Sequence, residues 1–298
     1  EGINAQIAIP KNYLSQFREE LYEISFLNGI RLNFAVDDAE AEFTFLKLKI
    51  KVRDKILADG LIDKTFDVTN KGKHLNAREF NDLTNNNETI LIDFRNHYES
   101  EVGFFKGAIL PDVDTFRESL PHIESTYLKG QEDKNIVMYC TGGIRCEKAS
   151  AWFKHRGFKN VHQLEGGIIK YANEVRELGI ENKFIGKNFV FDERRGERIT
   201  DDVIAVCHQC GEAADTHTNC MNHSCHLLFI QCTSCMAKME NCCSQECLEI
   251  THLPEETQKD LRKGIENSNQ IFKKGRSQKL IFKANKEKPL SLIQQSNK

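Results

Sequence analysis

Ile136-Val137-Met138-Tyr139-Cys140-Thr141-Gly142-Gly143-Ile144-Arg145-Cys146-Glu147-Lys148 is the stretch that decides how this chain folds. An apolar strand, Ile136 to Tyr139, runs into a cysteine; a short glycine-bearing loop follows, and a helical pattern starts at Cys146. Gly142 and Gly143 let the loop curl so that successive backbone N–H groups point at the sulfur. The helix beyond adds its positive end, and Arg145 adds a full charge. Each effect favours thiolate over thiol, so the pKa of Cys140 is expected below the free value of about 8.5. Thr141, Gly142, Gly143 and Ile144 form the cradle between Cys140 and Arg145. The plainer alternative is a buried cysteine at a strand end beside an ordinary turn.

Outward from this stretch, strands alternate with helices. Ala77 to Leu83 reads as a short helix, and Asn85 to Asn87 mark a turn before the strand Thr89 to Phe94. Phe116 to Ile123, Glu147 to Arg156 and Ile169 to Leu178 read as helices. This alternation predicts an α/β domain, a parallel sheet covered on both faces. Cys140 then sits at the carboxyl end of a strand, where open α/β sheets bind ligands.

The chain has 298 residues, 40% of them hydrophobic, and a net charge of −3. That length suits two or three domains, and the charge excludes a uniformly basic nucleic-acid binder. No apolar run approaches the ~18 residues of a membrane span, and no signal-peptide pattern is present. Eleven cysteines without a secretion signal point to a reducing, cytoplasmic setting and to metal or catalytic roles.

Before the central domain, Ile3 to Ile9 reads as a strand closed by Pro10, and Leu14, Phe17, Leu21 and Ile24 share one helical face. Phe43 to Arg53 alternates, with Lys47, Lys49, Lys51, Arg53 and Lys55 on the face opposite Leu48, Ile50 and Val52. Such a row suits a line of phosphates, and equally the solvated outer face of a sheet. Residues 57 to 75, rich in Asp, Gly, Asn and Lys, read as a linker. The domains expected are 1–72, 73–182 and 183–298.

The last region holds nine of the eleven cysteines within 41 residues. Cys207/Cys210 and Cys232/Cys235 are C-x-x-C pairs at a zinc-ribbon separation, able to place four thiolates on one tetrahedral ion. Cys220, Cys225, Cys247 and one of Cys242 or Cys243 form a candidate second site, with His208, His217, His223 and His226 as spare ligands. A structural zinc is expected, because four thiolates close its coordination sphere. A reduced or disulfide-linked cluster is the alternative. From Phe272 to Lys298 there are seven lysines, Arg276 and a single acid, Glu287, which reads as a mobile basic tail, with or without an RNA partner.

Cys140 followed after four residues by Arg145 resembles the active-site loop of rhodanese-type domains. Leu91-Ile92-Asp93-Phe94-Arg95-Asn96 with Gly103 to Ile109, and Val161-His162-Gln163-Leu164-Glu165-Gly166-Gly167-Ile168, are similar to two further rhodanese signatures. Phe104 stands where many rhodaneses have histidine. Related phosphatases place five residues between cysteine and arginine; four resembles the tighter sulfur-handling loop. With Glu1-Gly2-Ile3-Asn4, Phe191-Asp192-Glu193-Arg194 and Asn222 to Cys232 added, nearly the whole chain resembles the rhodanese-like, oxygen-dependent tRNA uridine hydroxylases.

That resemblance implies conversion of the wobble uridine of certain tRNAs to 5-hydroxyuridine, with molecular oxygen as co-substrate and tRNA as partner. It implies a central rhodanese-like sheet, preceded by a partial ferredoxin-like α+β domain and followed by a small Cys-rich domain. It also places a further strand and helix before Glu1. It maps the essential cysteine onto Cys140. Thiolate addition to uridine C6 would make C5 enolate-like and open to oxygen. A sulfurtransferase carrying sulfur as a Cys140 persulfide is the other reading, and a zinc-stabilised RNA-binding protein is a third. Cys146 is either a resolving thiol or a packing residue at the helix start, while Asp93 and Arg95 are expected to be structural.

Overall fold

The computed structural model describes residues 2–36, 45, 48–263 and 274–282. Its centre is a four-stranded parallel sheet of order β1-β5-β4-β2. The strands are β1 (Lys73–Leu75), β2 (Ile90–Asp93), β4 (Asn135–Tyr139) and β5 (Asn160–Leu164). β4 is interior, pairing Ile136 with Ile90 on one side and with Val161 on the other. Its period of two divides the core. Ile136, Met138 and Cys140 face one layer with Phe116 and Leu120 of α4 (Phe116–Ile123) and Ala149 and Phe153 of α5 (Ile144–His155). Val137 and Tyr139 face the other layer with Phe80 of α2 (Ala77–Thr84) and Ile168, Tyr171 and Val175 of α6 (Gly167–Leu178). Strand parity therefore aims the Cys140 side chain at α5, the helix that follows it.

A second, antiparallel sheet joins β3 (Gly103–Phe105), β6 (Phe184–Asn188) and β7 (Glu197–Arg198). The end of β2 is tied to it by a fully buried pair. Arg95 donates to Asp93 at 2.6 to 3.1 Å and to the Gly103 carbonyl at 2.6 Å. Stripping one partner from such a pair strands a charge in apolar surroundings, at about 3–5 kcal/mol. Asp93 and Arg95 thus tie the end of β2 to the second sheet.

The chain clusters into two compact units. One comprises residues 1–96 and 103–201, the other 97–102 and 202–298. The second holds α3 (His97–Ser100), the hairpin of β8 (His217–Asn219) and β9 (Leu228–Ile230), and the helices α7 (Thr233–Met239), α8 (Gln245–Thr251) and α9 (Glu255–Arg262). Beside the expected boundary at 182/183, β6 and β7 cluster with the first unit. Among the described residues, no helix is long and apolar enough to cross a membrane.

Four expectations change. Helix α5 starts at Ile144, two residues before Cys146, because Gly143 at φ 93° turns the chain straight into it and accepts the Glu147 N–H at 3.0 Å. Neither Ile3 to Ile9 nor 48–53 forms a strand, while α1 (Leu14–Glu23) does form. Alternation supplies a face, but a ladder needs a partner, and Leu48, Ile50 and Val52 are exposed. The expected linker is anchored: Leu57 and Leu61 pack on the core, and Gly72 N–H donates to Ser150 Oγ at 3.0 Å. The cause is Lys148 of α5, 2% exposed, whose ammonium meets the buried carboxylate of Asp59; without that counter-charge its burial would be prohibitive. Finally, residues 274–282 of the basic tail are fixed within the second unit. Leu280 is 3% exposed, Phe282 N–H donates to the His208 carbonyl at 2.9 Å, and the Lys274 carbonyl meets His97 Nε2 at 2.9 Å. The rest of the tail, and Lys47, lie outside the described residues.

Candidate active site and metal centres

Cys140 lies at the end of β4, 1% exposed, above the first turn of α5. The Gly143 N–H donates to its sulfur at 3.2 Å. Burial alone pushes the Cys140 thiol up. The Cys146 thiol, the Arg145 charge and the N–H groups of Cys146 and Arg145 outweigh it and pull the pKa down to about 6. At neutral pH the thiolate is then the favoured form. Burial and the adjacent Cys140 push the Cys146 thiol well up, so it stays protonated and serves as a donor. Sulfur anion, helix start and guanidinium meet as the sequence implied.

The loop is braced from behind. The N–H groups of Ile168 and Ile169 in α6 donate to the Cys140 and Thr141 carbonyls at 3.0 and 3.2 Å. Gly167, at φ 67°, allows that approach, since a Cβ there would collide with both carbonyl oxygens. Arg145 Nη2 donates to Thr141 Oγ1 at 3.3 Å, and its guanidinium lies 5.9 Å from the centre of the Phe191 ring.

Sequence reasoning missed the rim. Asn33 Nδ2 donates to the carbonyls of Gly142 and Gly166 at 3.3 and 3.2 Å. Arg31 pairs with Glu147 of α5 at 3.3 Å, and the same carboxylate takes Lys71 at 3.0 Å and His74 at 2.9 Å. Burial works against the Glu147 carboxylate, but His74 and Lys71 more than offset it and hold its pKa below the usual range. No local pattern around Arg31-Leu32-Asn33 announces such a role; more than a hundred residues separate the partners.

Of the expected phosphate-facing row, Lys49, Lys51, Arg53 and Lys55 are exposed. The charges of Lys49 and then Arg53 lower the Lys51 pKa, the mark of cations crowded together. Lys55 is already paired with Asp59 at 2.9 Å.

The second unit gathers two sets of four cysteines, Cys207/Cys210/Cys232/Cys235 and Cys220/Cys225/Cys243/Cys247, each with its sulfurs within 4.8 Å of one another. Cys210–Cys232 and Cys225–Cys243 are 3.6 Å apart, and Cys243–Cys247 are 3.7 Å apart. A tetrahedron of thiolates at about 2.3 Å from a central ion has edges of about 3.8 Å, so both donor sets fit zinc or another thiophilic ion. Backbone N–H groups support the sulfurs, from Cys235 to Cys232 and from Cys243 to Cys220, each at 3.4 Å. The open choice at the second set resolves to Cys243; Cys242 instead approaches Thr251 Oγ1 at 3.8 Å. None of the four spare histidines belongs to either set. His208 is engaged at both ring nitrogens, by Ile230 N–H at 3.2 Å and Glu101 at 3.0 Å.

Comparison with known proteins matches three family profiles along the chain. They are a UPF0176 acylphosphatase like domain over residues 1–56, a Rhodanese-like domain over residues 76–174 and a Rhodanase C-terminal domain over residues 185–248. The chain is 54% identical over 277 residues to the tRNA uridine(34) hydroxylase of Photorhabdus laumondii, covering 93% of this chain and 78% of that one. It is 54% identical over 276 residues to the protein of that name from Leptospira interrogans, covering 93% and 74%. The protein of that name from Salmonella schwarzengrund is 54% identical over 277 residues, covering 93% and 78%.

Proposed function

The chain belongs to the tRNA uridine(34) hydroxylase family, and from that premise we propose that Cys140 is the nucleophile with which it hydroxylates a tRNA uridine at C5, using molecular oxygen. The observation that carries this reading is identity of 54% across 93% of the chain to relatives of that name. A thiolate poised near pKa 6 at the head of α5 supplies the chemistry.

The thiolate adds to C6 of the uracil ring. A C–S bond forms, and the C5=C6 electron pair moves toward C5 and O4 as an enolate. The enolate reacts with oxygen to give a C5–O bond and, after protonation, a hydroperoxide. A two-electron donor of the thiol class cleaves the O–O bond and releases water. Loss of the C5 proton then expels the Cys140 thiolate. Uridine, oxygen and two thiols thus give 5-hydroxyuridine, water and one disulfide. Arg145 holds the thiolate charge before attack and receives it at expulsion. Thr141, Gly142, Gly143 and Ile144 form the loop that carries the sulfur onto the N–H groups of Gly143, Arg145 and Cys146, and the Cys146 thiol donates to it without being consumed.

Lys49, Lys51 and Arg53 offer a cluster of cations to the tRNA backbone; Lys55, held by Asp59, contributes less, and Lys47 belongs to the same row by sequence alone. Cys207, Cys210, Cys232 and Cys235, and likewise Cys220, Cys225, Cys243 and Cys247, would each hold a structural zinc. With four protein ligands each, such ions would stabilise the second unit and leave no open position for substrate.

Unmodified tRNA is incubated with the protein and a thiol reductant under 18O2, and the nucleosides are read by mass spectrometry. The expected product is 5-hydroxyuridine carrying one 18O atom. Absence of that product, with sulfur recovered on Cys140 from a sulfane donor, would move the assignment to sulfur transfer.

A further inference from the structure

Phe191-Asp192-Glu193-Arg194, between β6 and β7, takes part in no step above. Its turn is a closed cage of charges. Asp192 accepts the Arg194 N–H and Nε at 3.0 Å each and Nη2 at 2.6 Å. Arg194 Nη1 reaches Glu197 at 2.8 Å, and Glu197, 1% exposed, also accepts the Val36 N–H at 3.1 Å. On this stiff turn Phe191 stands 49% exposed. Buried Phe189 props it edge-on, with ring centres 5.2 Å apart at 84°. Beside it lies the Arg145 guanidinium, 5.9 Å from the ring centre, the same group that donates to Thr141 at the head of the cysteine cradle.

A lone exposed aromatic is ordinary on a protein surface. This one is held rigid and faces the arginine of the reactive loop, which is how proteins that act on single-stranded bases build a stacking platform. A uracil entering the cradle must present C6 to sulfur with its ring plane fixed. A flat aromatic wall fixes that plane at little entropic cost, because the wall is already ordered. We propose that Phe191, flanked by Arg145, is the stacking surface for the target uracil. This rests on the uridine reading above and names the side chain that orients the base.

The test uses the full chain with Cys140→Ser in every protein compared for binding, so that no C6 adduct forms, and an anticodon stem-loop RNA, bound without oxygen so that no turnover intervenes. One RNA carries uridine at the target position and the other dihydrouridine, which has the same hydrogen-bonding edge but a puckered ring that stacks poorly. Wild type is expected to bind the uridine RNA about tenfold tighter, the scale of one base–aromatic stack. Phe191→Ala and Phe191→Leu should bind both RNAs alike, and Phe191→Trp should keep the preference. Equal binding by wild type, or a preference retained in Phe191→Leu, overturns the platform. Should Phe191→Ala fold poorly, Phe191→Leu decides, with an unchanged pH midpoint of alkylation, read with Cys140 in place, certifying its cradle. Hydroxylation in air by wild type separates the two claims. No 5-hydroxyuridine sinks the uridine reading; normal product with a wild-type preference in Phe191→Leu sinks the platform alone.

Discussion

The first unit surrounds one cysteine with hydrogen-bond donors, and the second gathers eight around each other in two sets of four. Cys140 is ringed by donors (N–H groups, a guanidinium and the Cys146 thiol) that favour its anion without forming a bond to it. Eight of the nine cysteines of the second unit are ringed chiefly by each other, three of the sulfur pairs 3.6 to 3.7 Å apart. Four thiolates at that spacing repel unless a cation joins them, and the cation then uses up their lone pairs. Neighbours decide the chemistry: hydrogen-bond donors leave a nucleophile, and a shared metal removes one.

The contrast breaks most sharply at Cys140→Ser. Hydroxylation should fall at least about a thousandfold, while mass spectrometry of the intact protein still finds two metal ions per chain. Native activity in Cys140→Ser would sink the nucleophile assignment.

A smaller effect separates two adjacent cysteines. Cys243→Ser should lower bound zinc from two ions to one and reduce the melting temperature of the second unit by roughly 10 °C or more. Cys242→Ser should keep both ions. Equal loss in the two variants would refute the assigned donor set.

The smallest effects sharpen the cradle. Alkylation of Cys140 should follow the thiolate fraction, half-maximal near pH 6 and falling about tenfold per pH unit below that as the sulfur protonates. Arg145→Gln removes a charge that favours the anion, second in weight to the Cys146 thiol, so the midpoint should rise by roughly half a unit to one unit. Cys146→Ala removes the strongest donor to the sulfur and should raise it by about one unit or more. A midpoint left at the wild-type value in both variants would mean that backbone N–H groups alone make the thiolate.

Legibility followed the range of the interactions. The α4 limits Phe116–Ile123 match the expected helix residue for residue, because its apolar spacing and Thr115 cap are local. The C-x-x-C pairs were readable for the same reason. The start of α5 was misjudged by two residues, since Gly143 carries no side-chain cap to announce it. The row from Lys47 to Lys55 shows the opposite failure: a perfect alternation, with no ladder among its described residues. Periodicity says which side chains share a face, and only a neighbouring strand makes that face a sheet.

The sequence by itself determined the strand–loop–helix around Cys140, the α/β order of the central domain and the presence of C-x-x-C pairs able to hold a metal. Each is written in contacts only a few residues long. Only the tertiary structure decided that Arg31 and Asn33 rim the cradle, that Asp59 neutralises Lys148, that Cys243 rather than Cys242 completes the second set, and that Phe191 faces Arg145. Those pairings join segments far apart along the chain, where packing and the cost of an unpaired buried charge select the partner and no local pattern records it.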